Sequence, residues 1–147
     1  MKLHCNPLNT YTLYFNIMAV ISLIVFNKSY LQGLGLHIIP LFLIAEYLIW
    51  YKGLAWSCDR PMWIVYIGDV LAHWLPLIIY IYLQYSGKLE YGKYTVYGFI
   101  SPFILFLFYM FIVKFNMRVY NGIDMIPYLI GYLILLMIIT IIFIIYK

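Results

Sequence analysis

Residues 99–113 and 128–146 are long, nearly unbroken apolar runs, and neither alternates apolar with polar side chains. A backbone placed in hydrocarbon must satisfy its own N–H and C=O groups, which leaves α-helices and closed barrels as the only spanning structures. Barrel strands need a period of two, so these runs are read as helices. Composition argues the same way, because 67% of the residues are hydrophobic and 10% charged, where a soluble domain carries about a quarter charged. A core this small cannot hide so much apolar surface from water. The expected fold class is therefore all-α: a polytopic membrane protein, one transmembrane helical bundle over residues 1–147.

Five spans are expected, at residues 8–26, 31–51, 62–83, 94–113 and 123–146, each close to the roughly 20 residues that cross a bilayer. Asn6, Pro7, Asn9 and Thr10 separate Lys2 from the first apolar run, and no small-residue cleavage pattern follows, so that run is kept as a helix rather than a signal peptide. The connections are short (27–30, 52–61, 84–93 and 114–122), with an Asn121-Gly122 turn signal in the last. Five spans put Lys2, Lys52, Arg60, Lys114 and Arg118 on one side (side A) and Lys28, Lys88, Lys93 and Lys147 on the other (side B). Five basic residues against four give a slight lean to side A in the cytoplasm. Trp50, Trp56 and Trp63 cluster around the second connection, where an interfacial aromatic belt belongs.

The net charge of +4 is spread thinly, with no basic run, which gives nucleic acid no purchase as a partner. Cys5 and Cys58 stand alone without metal or redox spacing, and neither a cofactor nor a metal is expected. Joint enrichment in Ile, Tyr, Phe, Asn and Lys carries the imprint of AT-rich coding.

What remains informative is the depth of the polar side chains. An ionisable group near the bilayer centre costs about 2.5–3.5 kcal/mol on insertion scales, so one that persists faces the bundle interior with a partner. Glu46, Asp69 and His73 lie well inside expected spans. Asp69, His73, Pro76, Tyr80 and Gln84 fall within about 80° of arc on the third helix and form one stripe, and Asp69 and His73 are an i, i+4 pair able to touch. Glu46 lies at a similar depth on the preceding antiparallel helix. Thr12 and Asn16 on the first span, Tyr109 on the fourth, and Asp124, Tyr128 and Tyr132 at the start of the fifth share that leaflet. The expectation is a polar chamber opening toward side A. Pro40, Pro76, Pro102 and Pro127 are expected to kink their helices and make room for it.

An Asp that orients a neighbouring His is the arrangement of a general base. Thr12, Ser57, Cys58 or water would then serve as nucleophile. The chain has no GxSxG, HExxH or HxxHH pattern. Two other classes stay open: a noncatalytic structural or assembly protein, for instance of a virus with AT-rich coding, whose polar groups only lock helices together, and a proton-coupled carrier or small channel using Glu46, Asp69 and His73 as a relay. Expected partners are membrane lipid and, for a conducting pathway, a second copy or another membrane protein.

The third to fifth spans resemble the androgen-induced-gene family of small membrane hydrolases and its bacterial relatives. The resemblance rests on His73-Trp74-Leu75-Pro76, on the aromatic helix with Phe106, Phe108, Tyr109 and Phe111, on Tyr120-Asn121-Gly122, and on Ile126-Pro127-Tyr128-Leu129. It implies hydrolysis or transfer of lipid acyl esters, with the His before the Pro as base and a Thr of an earlier helix as nucleophile. Carried onto this chain, those roles fall to His73 and to Thr12, with Asn16 one turn on.

Overall fold

In a computed structural model, residues 11–53, 56, 59–113 and 124–146 are described, and among them the chain is all-α, without strands. The helices are α1 (Tyr11–Val25), α2 (Lys28–Tyr51), α3 (Met62–Tyr85), α4 (Thr95–Val113) and α5 (Ile126–Ile145). Three of them, α2, α3 and α5, are long and apolar enough to cross a membrane. α1 and, over Thr95–Phe111, α4 are shorter apolar helices.

The connection between α1 and α2 is tighter than the sequence suggests. Phe26 takes a left-handed backbone (φ 44°), which ends α1. Asn27 then caps the next helix, its Oδ1 accepting from the Tyr30 N–H at 3.0 Å. α2 therefore begins at Lys28, inside the expected 27–30 loop. The 84–93 segment is also less of a loop than expected, because Leu89 turns inward and joins the core of Phe15, Leu31, Leu34, Tyr80 and Leu83.

Prolines shape three helices, each by the donor it withholds. α2 is interrupted at Leu36–His37, where Pro40 cannot supply the N–H that would pair with the Leu36 carbonyl. In α3 the turn Val70–Trp74, just before Pro76, widens to π geometry, closed by an N–H of Leu75 on the Val70 carbonyl. α4 stays helical through Pro102, and the Ser101 hydroxyl takes over the Gly98 carbonyl at 3.2 Å. Pro127 is a correction to the sequence reading: it sits in the first turn of α5, where a missing N–H costs nothing, and kinks no helix. A second π turn, Tyr47–Tyr51, ends α2 with a Lys52 N–H to Tyr47 carbonyl bond of 2.9 Å.

The tightest crossing joins the first turns of α2 to α4. A Cβ on Gly33 would lie 2.0 Å from the Thr95 carbonyl oxygen, and one on Gly98 would lie 2.0 Å from that of Tyr30. Only glycine permits backbones this close, as in small-residue crossings between membrane helices. The second half of α2 packs on α5 and α3, and α1 crosses α4 and the π turn of α3. Polar groups are gathered inside, with His37 0%, Gln32 1% and Asp69 6% exposed. Among the described residues, isoleucine and then tyrosine dominate the large apolar side chains on the outward faces.

Candidate functional site

Each of the two π turns follows directly on a carboxylate. Glu46 precedes Tyr47–Tyr51, and Asp69 precedes Val70–Trp74, which contains His73. A π turn rotates the residues around it relative to a regular helix, and such turns recur at functional sites. Here α2 and α3 cross so that the ligand-capable atoms of Glu46, Asp69 and His73 lie within 4.8 Å of one another. The sequence expectation that these three meet holds.

Asp69 anchors the cluster. Its Oδ1 pairs with His73 Nδ1 at 2.8 Å and its Oδ2 accepts from the Trp50 indole N–H at 3.0 Å. Trp50 is thus a correction to the sequence reading, since it serves Asp69 and stacks on Tyr66 instead of standing only in an aromatic belt. Trp56 and Trp63 are exposed, at 67% and 64%. Glu46 lies against Asp69 and the Trp74 indole, and its Oε1 is sealed from solvent with no hydrogen-bond partner among the described residues. Two oxygens and an imidazole nitrogen at this spacing are a donor set that suits a divalent ion.

With Nδ1 committed to Asp69, His73 Nε2 has no hydrogen bond among the described residues. His73 lines a cavity of about 490 Å³, within the roughly 300–1,000 Å³ usual for small-molecule sites. All five helices contribute to it: Tyr11 and Thr12 from α1, Ala45 from α2, His73 from α3, Phe106 and Tyr109 from α4, and Tyr128 and Tyr132 from α5. Thr12 therefore shares the cavity with His73, as expected.

No family model, curated protein or solved structure matches this chain.

Several expectations are corrected. The chamber is mainly apolar, walled by Leu41, Ile44, Leu48, Phe103, Phe106 and Leu129, and two of its phenols are bonded elsewhere, Tyr11 to the Pro102 carbonyl and Tyr132 to His37. Asn16 does not face it. Its Nδ2 donates to the Ala72 carbonyl at 2.9 Å, and it lines a second, smaller cavity with Pro76 and Tyr80. Asp124 is exposed and accepts from the Ile126 N–H at 3.0 Å, where it closes the start of α5. The stripe on α3 does face inward but splits in two, since Tyr80 and Gln84 join Gln32 at the opposite end from Asp69 and His73. Cys5, Ser57, Cys58 and Tyr120-Asn121-Gly122 lie outside the described residues.

Two groups escape a sequence reading. Gln32 is buried against Tyr80, and its flanking Gly33 and Gly35 are the local sign of close packing there. His37 is wholly enclosed, with Nδ1 on the Tyr132 hydroxyl and Nε2 on the Phe99 carbonyl at 2.8 Å. No spacing rule links these last three residues, which come from three helices.

Proposed function

We propose that the chain crosses the bilayer five times as a multi-pass membrane protein and hydrolyses or transfers the acyl group of a lipid ester held in the large cavity. One observation carries this reading: His73 borders an apolar cavity of about 490 Å³ while its Nδ1 is held 2.8 Å from the Asp69 carboxylate. Asp69 fixes the tautomer with hydrogen on Nδ1, leaving the Nε2 lone pair as base. The apolar wall accommodates the acyl chain.

Nε2 takes a proton from water as the oxygen attacks the ester carbonyl. The carbonyl carbon–alkoxy bond then breaks and the proton on Nε2 passes to the leaving alkoxide, giving a fatty acid and an alcohol. If Thr12 is the nucleophile, its hydroxyl proton follows the same route, an acyl-Thr12 ester forms, and water or an acceptor alcohol releases it. Asp69 carries the growing charge of the imidazolium in both cases. Trp50 holds Asp69 in place.

The adjacency of Glu46 to Asp69 and His73 favours a second reading, a proton relay. The test is release of fatty acid from long-chain acyl esters by the purified chain in micelles. Activity lost in His73→Ala and reduced in Asp69→Asn, with thermal midpoints kept, supports hydrolysis. Fluorophosphonate labelling that disappears in Thr12→Ala identifies the nucleophile. A folded protein that cleaves no ester but passes protons across liposomes, blocked by Glu46→Gln, would establish the relay instead. If the three substitutions change stability alone, the cluster only joins helices.

A further inference from the structure

A cavity inside a helical bundle meets its surroundings where a lining side chain is also exposed. Around the cavity of about 490 Å³, the described lining residues are buried or half-buried except two, Leu107 at 66% and Leu133 at 43% exposed. One belongs to α4 and the other to α5. Two neighbouring seams are closed. Tyr11 on α1 packs against Phe106 and Tyr109 of α4, with ring centroids 5.2 and 5.7 Å away, and its hydroxyl donates to the Pro102 carbonyl. α5 lies along the second half of α2, where Tyr47 meets Tyr128 at 6.1 Å. α4 instead crosses the first half of α2, and among the described residues α4 and α5 form no extended seam with each other. Phe99 and Phe103 share one apolar cluster with Leu136 and Ile139; beyond that cluster the cavity lies between the two helices.

The depth of this opening decides what reaches it. Leu107 precedes the end of α4 at Val113, and Leu133 follows the start of α5 at Ile126, so at 1.5 Å per residue both stand about 10 Å inward from those helix ends. Ile104 and Phe111 on the same face of α4, and Ile130 and Met137 on that of α5, are apolar and exposed. In a bilayer, lipid chains lie against such a face. A chain that passes from there into an apolar cavity leaves one apolar environment for another, whereas an approach through water would first expose it. We infer that the large cavity is filled sideways: the acyl chain of a membrane lipid enters from the hydrocarbon between α4 and α5, past Leu107 and Leu133, and lies beside His73. The ligand class is a lipid that stays in its leaflet while its chain is held, as opposed to a short water-borne ester. This mouth rests on the five-span reading and not on ester cleavage.

The probe is hexadecyl methyl ether with a diazirine near the tail of its chain, which cannot be hydrolysed and so reads occupancy alone. The full chain is reconstituted with it in phosphatidylcholine liposomes, irradiated and digested, and adducts are located by mass spectrometry. They should appear on Leu48 and Tyr109, which line the cavity and are buried, as well as on the outward Phe111. Leu107→Trp combined with Leu133→Trp narrows the mouth at positions where the outer surface leaves room for the larger ring. Labelling of Leu48 and Tyr109 should then fall about fivefold or more, as a chain is forced past an overfilled aperture, while Phe111 is labelled as before. Val96→Trp, exposed on α4 away from the mouth, should change neither. Adducts on Phe111 without any on Leu48 or Tyr109, or inner labelling undiminished in the folded double variant, overturns the sideways entry. No adduct anywhere on the chain removes the five-span reading and the mouth with it. Inner labelling that the double variant suppresses, in a chain that cleaves no ester, upholds the mouth and discards only the hydrolase reading.

Discussion

Asn16 completes the helix that Pro76 interrupts. Its side-chain amide on α1 donates to the Ala72 carbonyl of α3 at 2.9 Å, the carbonyl that a regular helix would pair with the N–H of residue 76. Proline has no such N–H. The bond therefore ties α1 to the turn that carries His73 and keeps a freed carbonyl from being left bare in apolar surroundings.

Asn16→Ala should cost about 1–3 kcal/mol, the penalty for an unsatisfied buried acceptor. In a Pro76→Ala background the backbone can supply the donor, so the same substitution should cost less. Asn16→Asp sets carboxylate oxygen against carbonyl oxygen and should be the worst of the three. Unfolding midpoints in mixed micelles check the order, and equal losses from Asn16→Ala in both backgrounds would refute the coupling.

The α2–α4 crossing should tolerate no Cβ. Gly98→Ala and Gly33→Ala each push a methyl into backbone at 2.0 Å, and overpacking of this kind costs about 1–3 kcal/mol or more. Gly68 on α3 has nothing within 4 Å of its added Cβ, so Gly68→Ala should be neutral or stabilising by up to about 1 kcal/mol through helix propensity. Thermal denaturation of the three variants separates a steric crossing from a general sensitivity to alanine.

On the proposed hydrolase reading, Trp50 should matter for turnover more than for folding. Trp50→Phe keeps the ring but removes the 3.0 Å donor to Asp69. A hydrogen bond to a charged group is worth about 1.5–3 kcal/mol, so kcat should fall about tenfold or more with KM little changed. A parallel rise in KM would place Trp50 at the ligand rather than behind Asp69.

On the same proposed reading, divalent cations should compete with His73 acting as base. Zn2+ bound by Glu46, Asp69 and His73, whose donor atoms lie within 4.8 Å of one another, engages the imidazole that hydrolysis needs free. Added Zn2+ should raise the thermal midpoint and inhibit ester cleavage, and a chelator should reverse both. Glu46→Gln removes a ligand without touching the base, so it should weaken both effects. Inhibition that persists undiminished in Glu46→Gln would move the metal elsewhere.

Much of this was readable from local patterns. The apolar runs specify helices, and their edges at Tyr51, Met62 and Val113 agree with the structure. The i, i+4 spacing brings Asp69 to His73, and matched depth on consecutive helices brings Glu46 to both. Thr12 reaches the His73 cavity by the same depth argument. Trp50 carried a usable signal, one turn after Glu46, but tryptophan near a helix end is more often an interfacial anchor.

Sequence by itself determined what depends on neighbours along one helix: apolar length, the i, i+4 pairing of Asp69 with His73, and withheld proline donors. The tertiary structure decided everything set by how helices cross. Thr12 and Asn16 share a face of α1, yet one lines the large cavity and the other bonds to Ala72. His37 finds Phe99 and Tyr132 because glycine contacts at Gly33 and Gly98 let α2 sink against α4. A helical repeat fixes the direction in which a side chain leaves its own axis; which group it meets depends on the distance and angle of the next axis, and these follow from packing of the whole bundle.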